Sequence, residues 1–377
     1  MTPDREAGGV LVEMRLSQRR SLLRELTMRS KPSRILDLKG DGELHVDGDV
    51  ITWLPPEGGG TLSWFAVLQQ LRGGASYDAY IGADWALFRA EDVIPRAATR
   101  TLRGATSDTS LDFRLPRGWS SVTEYYGKDD HYRIRKPGRR FDQPSGWVVL
   151  GELGVRNEDI DGVRVKIAAP QGQSVRHMDM IALLHWTLPD YRRLLPTFPH
   201  RLTVVSAGDP MWRGALSAPQ SLYVHADRPL LSENSTSTLL HELFHVGFGA
   251  AAGENADWIV EGLAEYYGLQ MLARTGTISS ERLRKALAAQ ARWGKRAATL
   301  CTPMSTGANT ARAVTLFAEL DKEIRESTKN RRTLDDVTAD LARLDAPVTL
   351  QALRDTVAAV TGKSASTLAT GKLPGCA

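Results

Sequence analysis

The spacing of apolar residues changes character near the middle of the chain. From about Arg34 to Ala169, apolar and polar positions alternate in short runs broken by glycine, proline and aspartate, a period of two that predicts strands. Glu43 to Leu54 holds Asp47-Gly48 between two such runs, and Ile160 to Ala168 opens on Asp161-Gly162. Both predict hairpins, because aspartate followed by glycine suits the left-handed backbone of a tight turn. Tyr80 to Phe88 and Ser110 to Leu115 add extended segments. From Met178 the positions Ile181, Leu184, Tyr191 and Leu194 follow a helical period, with Pro189 a potential breaker inside it. Strands are expected at Arg201 to Val205 and Ser221 to His225. The second is read as an edge strand along which an extended peptide could pair, with Tyr223 a candidate contact, although a strand aromatic more often packs. Beyond Glu261 the pattern is helical: Ser280 to Arg292, Ala313 to Ile324, Leu334 to Leu344 and Val348 to Val360 are successive amphipathic segments.

The expected architecture is therefore α+β. A basic segment, 1–33, precedes a β-rich domain, 34–170; a mixed region follows at 171–275, and a helical subdomain at 276–377 closes the chain. In the first segment Arg15, Arg19, Arg20, Arg24 and Arg29 accompany Leu16, Leu22, Leu23 and Leu26, which reads as a solvated amphipathic helix or tail, with a membrane-surface or partner-binding helix as the alternative.

Chemistry concentrates in the mixed region. Leu239, Leu240, Leu243, Phe244, Val246 and Phe248 predict a largely buried helix, ended by Gly247 and Gly249, that carries His241, Glu242 and His245. Histidines four apart share one helix face and can close on one metal ion. Burying them beside a carboxylate is costly without such a partner, and the intervening Glu242 is placed to take a proton from water there. After the loop Ala250 to Ala256, Asp257 is a plausible N-cap for a second helix bearing Glu261 and Glu265 one turn apart. Glu261 completes a His2Glu set, which leaves a fourth tetrahedral position open in the manner of a catalytic zinc site. Glu265, on the same face, could accept the free ring N–H of a ligating histidine. The alternative is two satisfied core histidines and a solvated acidic face.

This order of residues, with Trp258-Ile259-Val260-Glu261-Gly262-Leu263-Ala264-Glu265-Tyr266-Tyr267, resembles the gluzincin metallopeptidases and is most similar to the glycyl aminopeptidase family. The resemblance implies a thermolysin-like zinc catalytic domain over 171–275, Zn2+ as cofactor, peptide or protein substrates, His241, His245 and Glu261 as ligands, and Glu242 as general base. It also implies that Gly214-Ala215-Leu216-Ser217-Ala218 lines the substrate, so Gly214, Ala215 and Ser217 are candidate binding residues. Ser217 stands where relatives carry a glutamate for the substrate amino group, which departs from aminopeptidase recognition. Thr310 falls where relatives carry a catalytic tyrosine, and no tyrosine follows Tyr267. Arg312, at the position of the family's lysine, is the candidate to stabilise the oxyanion, against an ordinary surface arginine. Two functions follow: a peptidase with altered amino-terminal recognition, or a zinc-binding relative without hydrolytic activity that serves as a binding or scaffold module.

Composition narrows the choice only slightly. The 377 residues suffice for two or three domains, and a hydrophobic content of 42% supports real cores. Net charge is only +4 and the basic residues are dispersed, so nucleic-acid binding is not expected. No apolar run approaches the ~18 residues of a transmembrane span and no signal-peptide core is evident, which points to the cytoplasm, with a periplasmic or exported location as the alternative. Membrane association is not expected either. Gly58-Gly59-Gly60 lacks the lysine of a phosphate loop, and His131, Lys136, Arg139 and Arg140 read as loop surface. Cys301 and Cys376 either form one disulfide or remain thiols. Oligomeric state and substrate preference leave no mark in the sequence.

Overall fold

Strand pairing begins at the second residue, and the expected N-terminal helix does not form. In the computed structural model, which describes residues 1–134 and 141–376, strands span Thr2–Asp4, Gly9–Ser17 and Leu23–Arg29. Val10 and Val12 are buried while Leu11 and Glu13 face outward, the period of two proper to a strand. The helical spacing of Leu16, Leu22, Leu23 and Leu26 arises because a turn intervenes: Arg20 and Ser21 take left-handed backbone (φ 57° and 49°), so Leu16 lies on one strand, Leu22 in the turn, and Leu23 and Leu26 on the next strand. Lys136, Arg139 and Arg140 lie outside the described residues.

Two four-stranded sheets form the leading region, in the orders Thr2–Asp4, Gly9–Ser17, Gly59–Val67, Ile35–Gly40 and Ala97–Thr101, Leu23–Arg29, Val50–Leu54, Glu43–Asp47. They share a core around Trp53, Trp64, Leu26 and Leu62. Both buried indoles are satisfied, Trp53 donating to the Asp41 carbonyl at 2.7 Å and Trp64 to that of Val93 at 2.8 Å. The hairpin expected at Asp47-Gly48 is present, with Asp47 opposite Val50. The segment from Tyr80 to Phe88 divides into two strands, Ser76–Ile81 and Trp85–Arg89, within a five-stranded sheet that also contains Trp147–Gly151.

A second five-stranded sheet carries the candidate site. Its order is Leu153–Ile160, Val163–Pro170, Arg201–Ala207, Ser221–His225, Ala215–Ala218, with the three central strands parallel. Asp161 and Gly162 make the expected tight turn, both with positive φ (51° and 75°). Ser221–His225 is not the edge strand: Ala215–Ala218 pairs outside it and takes that place. The helix His177–Leu194 runs unbroken through Pro189, held by buried Leu184, Leu188 and Tyr191 on its inner face.

The two faces of this sheet are covered differently. Leu202, Val204, Leu222 and Val224 join the helical core, whereas Val205, Ala207 and Tyr223 pack with Trp85, Leu87 and Trp147 of the preceding sheet. Helices Thr238–Phe248, Asp257–Arg274, Ser280–Gly294, Ala308–Thr328, Leu334–Leu341 and Leu350–Thr361 complete the molecule, and Cys301 and Cys376 are joined by a disulfide. Among the described residues no helix is long and apolar enough to cross a membrane.

Candidate metal centre

The motif helix Thr238–Phe248 is capped at both ends. Ser237 accepts the Leu240 N–H at its start, and Gly249 closes it in the left-handed conformation (φ 67°). Gly247, expected to help end the helix, lies inside it: a Cβ there would come within 2.3 Å of the Phe198 ring, so this glycine permits close packing. Tyr191 donates its hydroxyl to the Leu240 carbonyl at 2.9 Å and pins the turn that carries His241.

The second helix, Asp257–Arg274, packs across the first through Tyr267, whose ring stacks on Phe244 at 5.6 Å. Asp257 is its first residue rather than its cap; the carboxylate instead accepts the Ser305 N–H at 2.7 Å and ties down the loop before the Ala308–Thr328 helix. Gly262 lets that helix approach, since a Cβ would sit 2.4 Å from the Ala313 Cβ. Its neighbour Glu261 is thereby presented to the histidines.

His241 Nε2 lies 3.2 Å from Glu261 Oε2, His245 Nε2 3.3 Å from Glu261 Oε1, and the two imidazole Nε2 atoms are 3.1 Å apart. Donor atoms about 2.0–2.1 Å from one tetrahedral ion are separated by roughly 3.3 Å, and each histidine nitrogen meets a Glu261 oxygen near that separation, Oε2 for His241 and Oε1 for His245. His241, His245 and Glu261 are the only group of this kind among the described residues. The tautomer also fits. His241 Nδ1 is 3.3 Å from Glu265 Oε2, and a hydrogen donated there leaves the Nε2 lone pair free for a metal.

Electrostatics agree with the donor set. Burial would lower the His241 pKa, but hydrogen bonds to Glu261 and Glu265, with the charges of Glu242 and Glu261, outweigh it and hold the imidazole well above its ordinary value. Burial likewise opposes ionisation of Glu261, yet its hydrogen bonds to His241 and His245 and their charges pull it far below the usual carboxylate range. The cluster thus demands positive charge. Glu242, between the two histidines in sequence, is buried at 8% exposure.

The other expected site residues divide. Ala215 and, two residues on, Ser217 lie on the strand face toward the motif helix, Ala215 within the helical core and Ser217 partly exposed. Gly214 precedes them where any Cβ would strike the Trp212 ring at 2.1 Å. Tyr223 is not brought to the site: it is buried on the opposite face, 5.2 Å from the Trp147 ring, with its hydroxyl on the Trp212 carbonyl. Arg312 is likewise engaged elsewhere, donating to the Ala297 carbonyl at 2.9 Å, and Thr310 bonds Ser305. Sequence reasoning missed Gln290, whose Nε2 donates to Glu265 Oε1 at 3.2 Å. Its signal was a polar residue on the inward stripe of the Ser280–Gly294 helix, between Ala286 and Gly294.

Residues 238–333 match the model of the M61 glycyl aminopeptidase family, so the resemblance carried by the motif is shown over that stretch. No curated protein matched the sequence. Among solved structures, an aminopeptidase N family protein from Idiomarina loihiensis aligns at 15% identity with a TM-score of 0.70, covering 90% of this chain and 69% of that one. An M1 zinc metallopeptidase from Deinococcus radiodurans aligns at 16% identity with a TM-score of 0.61, covering 97% of this chain and 89% of that one. A mutant M1 zinc metallopeptidase from the same organism, bound to a Tyr-Ser-Ala substrate, gives 16% identity and a TM-score of 0.57 over 95% of this chain and 87% of that one. At these identities the likeness is one of fold.

Proposed function

We propose that the protein is a zinc-dependent peptidase that hydrolyses peptide bonds in peptide or protein substrates, aminopeptidase-like in architecture but with altered recognition of the substrate amino terminus. The observation that carries this reading is the convergence of His241, His245 and Glu261 within metal-binding reach of one another, with Glu242 between the two histidines in sequence. Family and neighbour likenesses support the same class.

Zinc held by these three residues supplies a Lewis acid that acidifies water and polarises a peptide carbonyl. Glu242 serves as general base toward the attacking water and then passes that proton to the departing amine. Glu265 holds the His241 tautomer. The outer strand Ala215–Ala218 offers an unpaired edge to an extended peptide, with Ser217 on the face toward the motif helix and no carboxylate there to bind a free amino group.

A second reading, a zinc-binding protein without hydrolysis, is favoured by one observation: the two candidate oxyanion groups are engaged elsewhere, the Arg312 guanidinium by the Ala297 carbonyl and the Thr310 hydroxyl by Ser305. A missing oxyanion donor removes about 3–4 kcal/mol from the chemical step. A peptide-library digest with zinc-loaded parent and Glu242→Gln separates the two readings. Cleavage by the parent alone supports the peptidase, and its positions distinguish exopeptidase from endopeptidase; zinc binding without cleavage supports the second reading, and a parent that binds no zinc defeats both.

A further inference from the structure

We infer that Gln290 is a positioning residue of the metal centre: its amide locks the Glu265 carboxylate that orients His241. The inference rests on the zinc reading above and extends the site to a third helix. Ser280–Gly294 buries three residues, Ala286, Gln290 and Gly294, spaced one turn apart on one face. The two flanking positions are small, and Gly294 allows contact as close as backbone permits, a Cβ there falling 2.7 Å from the Arg312 backbone. Gln290 is the only one of the three with a side chain long enough to reach across, and it reaches Glu265.

Each oxygen of that carboxylate then has its own partner. Oε2 faces His241 Nδ1 at 3.3 Å, and Oε1 accepts from Gln290 Nε2 at 3.2 Å. Turning Glu265 away from His241 breaks both bonds together. The glutamine is held in one orientation as well, because reversing its amide would set a carbonyl oxygen against a carboxylate oxygen.

Packing alone does not account for the residue. Gln290 is 9% exposed, and its Oε1 is buried with no hydrogen-bond partner. A leucine or methionine of similar size would fill the same space without leaving an acceptor unsatisfied. What an apolar side chain lacks is the N–H that meets Glu265. The series Gln290, Glu265, His241 thus runs from the helical subdomain to the metal and holds the Nε2 lone pair of His241 toward it.

The test measures zinc affinity by chelator competition, and folding of the zinc-free protein by thermal melts, in Gln290→Met, Gln290→Leu, Glu265→Gln and the double variant Glu265→Gln/Gln290→Met. Both Gln290 substitutions conserve volume and remove the donor. The zinc dissociation constant should rise roughly tenfold in each, the lower end for loss of an outer partner of a metal ligand. The double variant should bind zinc no more weakly than Glu265→Gln alone, since the two residues act in series. Should Gln290→Met melt early, Gln290→Leu carries the comparison. Unchanged zinc affinity in a folded Gln290 variant, or additive losses in the double variant, overturns the inference. A parent that binds no zinc overturns instead the reading on which it rests.

Discussion

His241 stands between two carboxylates that each claim one ring nitrogen, and this decides how the centre responds to pH. Burial disfavours its charge, but the hydrogen bonds to Glu261 and Glu265 overcome that and raise its pKa above the 6.5 of an ordinary histidine. In the metal-free protein this bond network contributes stability that is complete below pH 6.5 and is lost as pH rises through the raised value. The metal-free melting temperature should therefore fall as pH rises through that raised value, and zinc should restore it; a flat profile in scanning calorimetry without metal would contradict this. Zinc competes with the same proton, so its affinity should weaken as pH falls below the raised pKa, which isothermal titration across a pH series would show. Ser217 gives a prediction about substrate. Ser217→Glu puts a carboxylate on the strand face toward the motif helix and should raise hydrolysis of free-amino peptides over N-acetylated ones by roughly tenfold, the worth of one charge-assisted hydrogen bond, measured as the ratio of kcat/KM values. The candidate ligands were legible in the sequence because a spacing of four puts His241 and His245 on one face of one helix, with Glu261 on the next. Arg312 was not, because its expected role came from register counted back from Leu320 along one helix, which says nothing of the Ala297 carbonyl that takes the guanidinium.

Glycine within the helices controls how closely the ligand-bearing elements approach. Gly262 follows Glu261 and meets Ala313 and Phe317 of the neighbouring helix, where an alanine Cβ would lie 2.4 Å from the Ala313 Cβ and 2.9 Å from the Phe317 ring. Gly262→Ala should accordingly destabilise the fold by about 1–3 kcal/mol, as overpacking of a tight contact does, despite alanine's better helix propensity. Displacing Glu261 should also weaken zinc binding. Urea unfolding with and without zinc separates the two effects, and a stabilised variant would show that the helices part freely. Local pattern foretold the hairpins and most helices, because tight turns and amphipathic stripes are written in neighbouring residues. It failed at Gly9 to Arg29, where two strands and a turn imitate a helical spacing, and at Ser221–His225, where the strand's interior place depends on Ala215–Ala218 pairing outside it. Pro189 shows the same dependence: tertiary packing of Leu184, Leu188 and Tyr191 keeps the helix continuous across a residue that local rules treat as a break.

Across the whole molecule, the sheet beside the candidate metal centre is held from both sides. Its Tyr223 face is covered by Trp85, Leu87 and Trp147 of the preceding β-sheet, which also reaches the outer strand through the Trp147 indole on the Leu216 carbonyl. Its other face carries the metal-centre helices. The C-terminal tail closes the arrangement: Glu323 accepts the N–H groups of Ser366 and Thr367, and Cys376 is bonded to Cys301, four residues before the Ser305 N–H that Asp257 holds. Burial opposes ionisation of Glu323, but the hydrogen bonds from Thr367 and Ser366 bring its pKa down to about 2, so this tether is intact above pH 4.5 and is lost as pH falls toward that value. The disulfide acts on a longer loop. With its cysteines 75 positions apart, it removes unfolded-chain entropy worth about 4 kcal/mol in the loop-closure model. Thiol titration of denatured, unreduced protein should find no free thiol. Cys301→Ser/Cys376→Ser should lose stability up to that amount in urea unfolding. Zinc affinity should change little, because the Ser237 and Gly249 caps and the Phe244–Tyr267 stack position the ligands without help from the tail. A large loss of zinc affinity in the folded double serine variant would mean that the tail, through the Cys301 loop and Asp257, sets the position of Glu261.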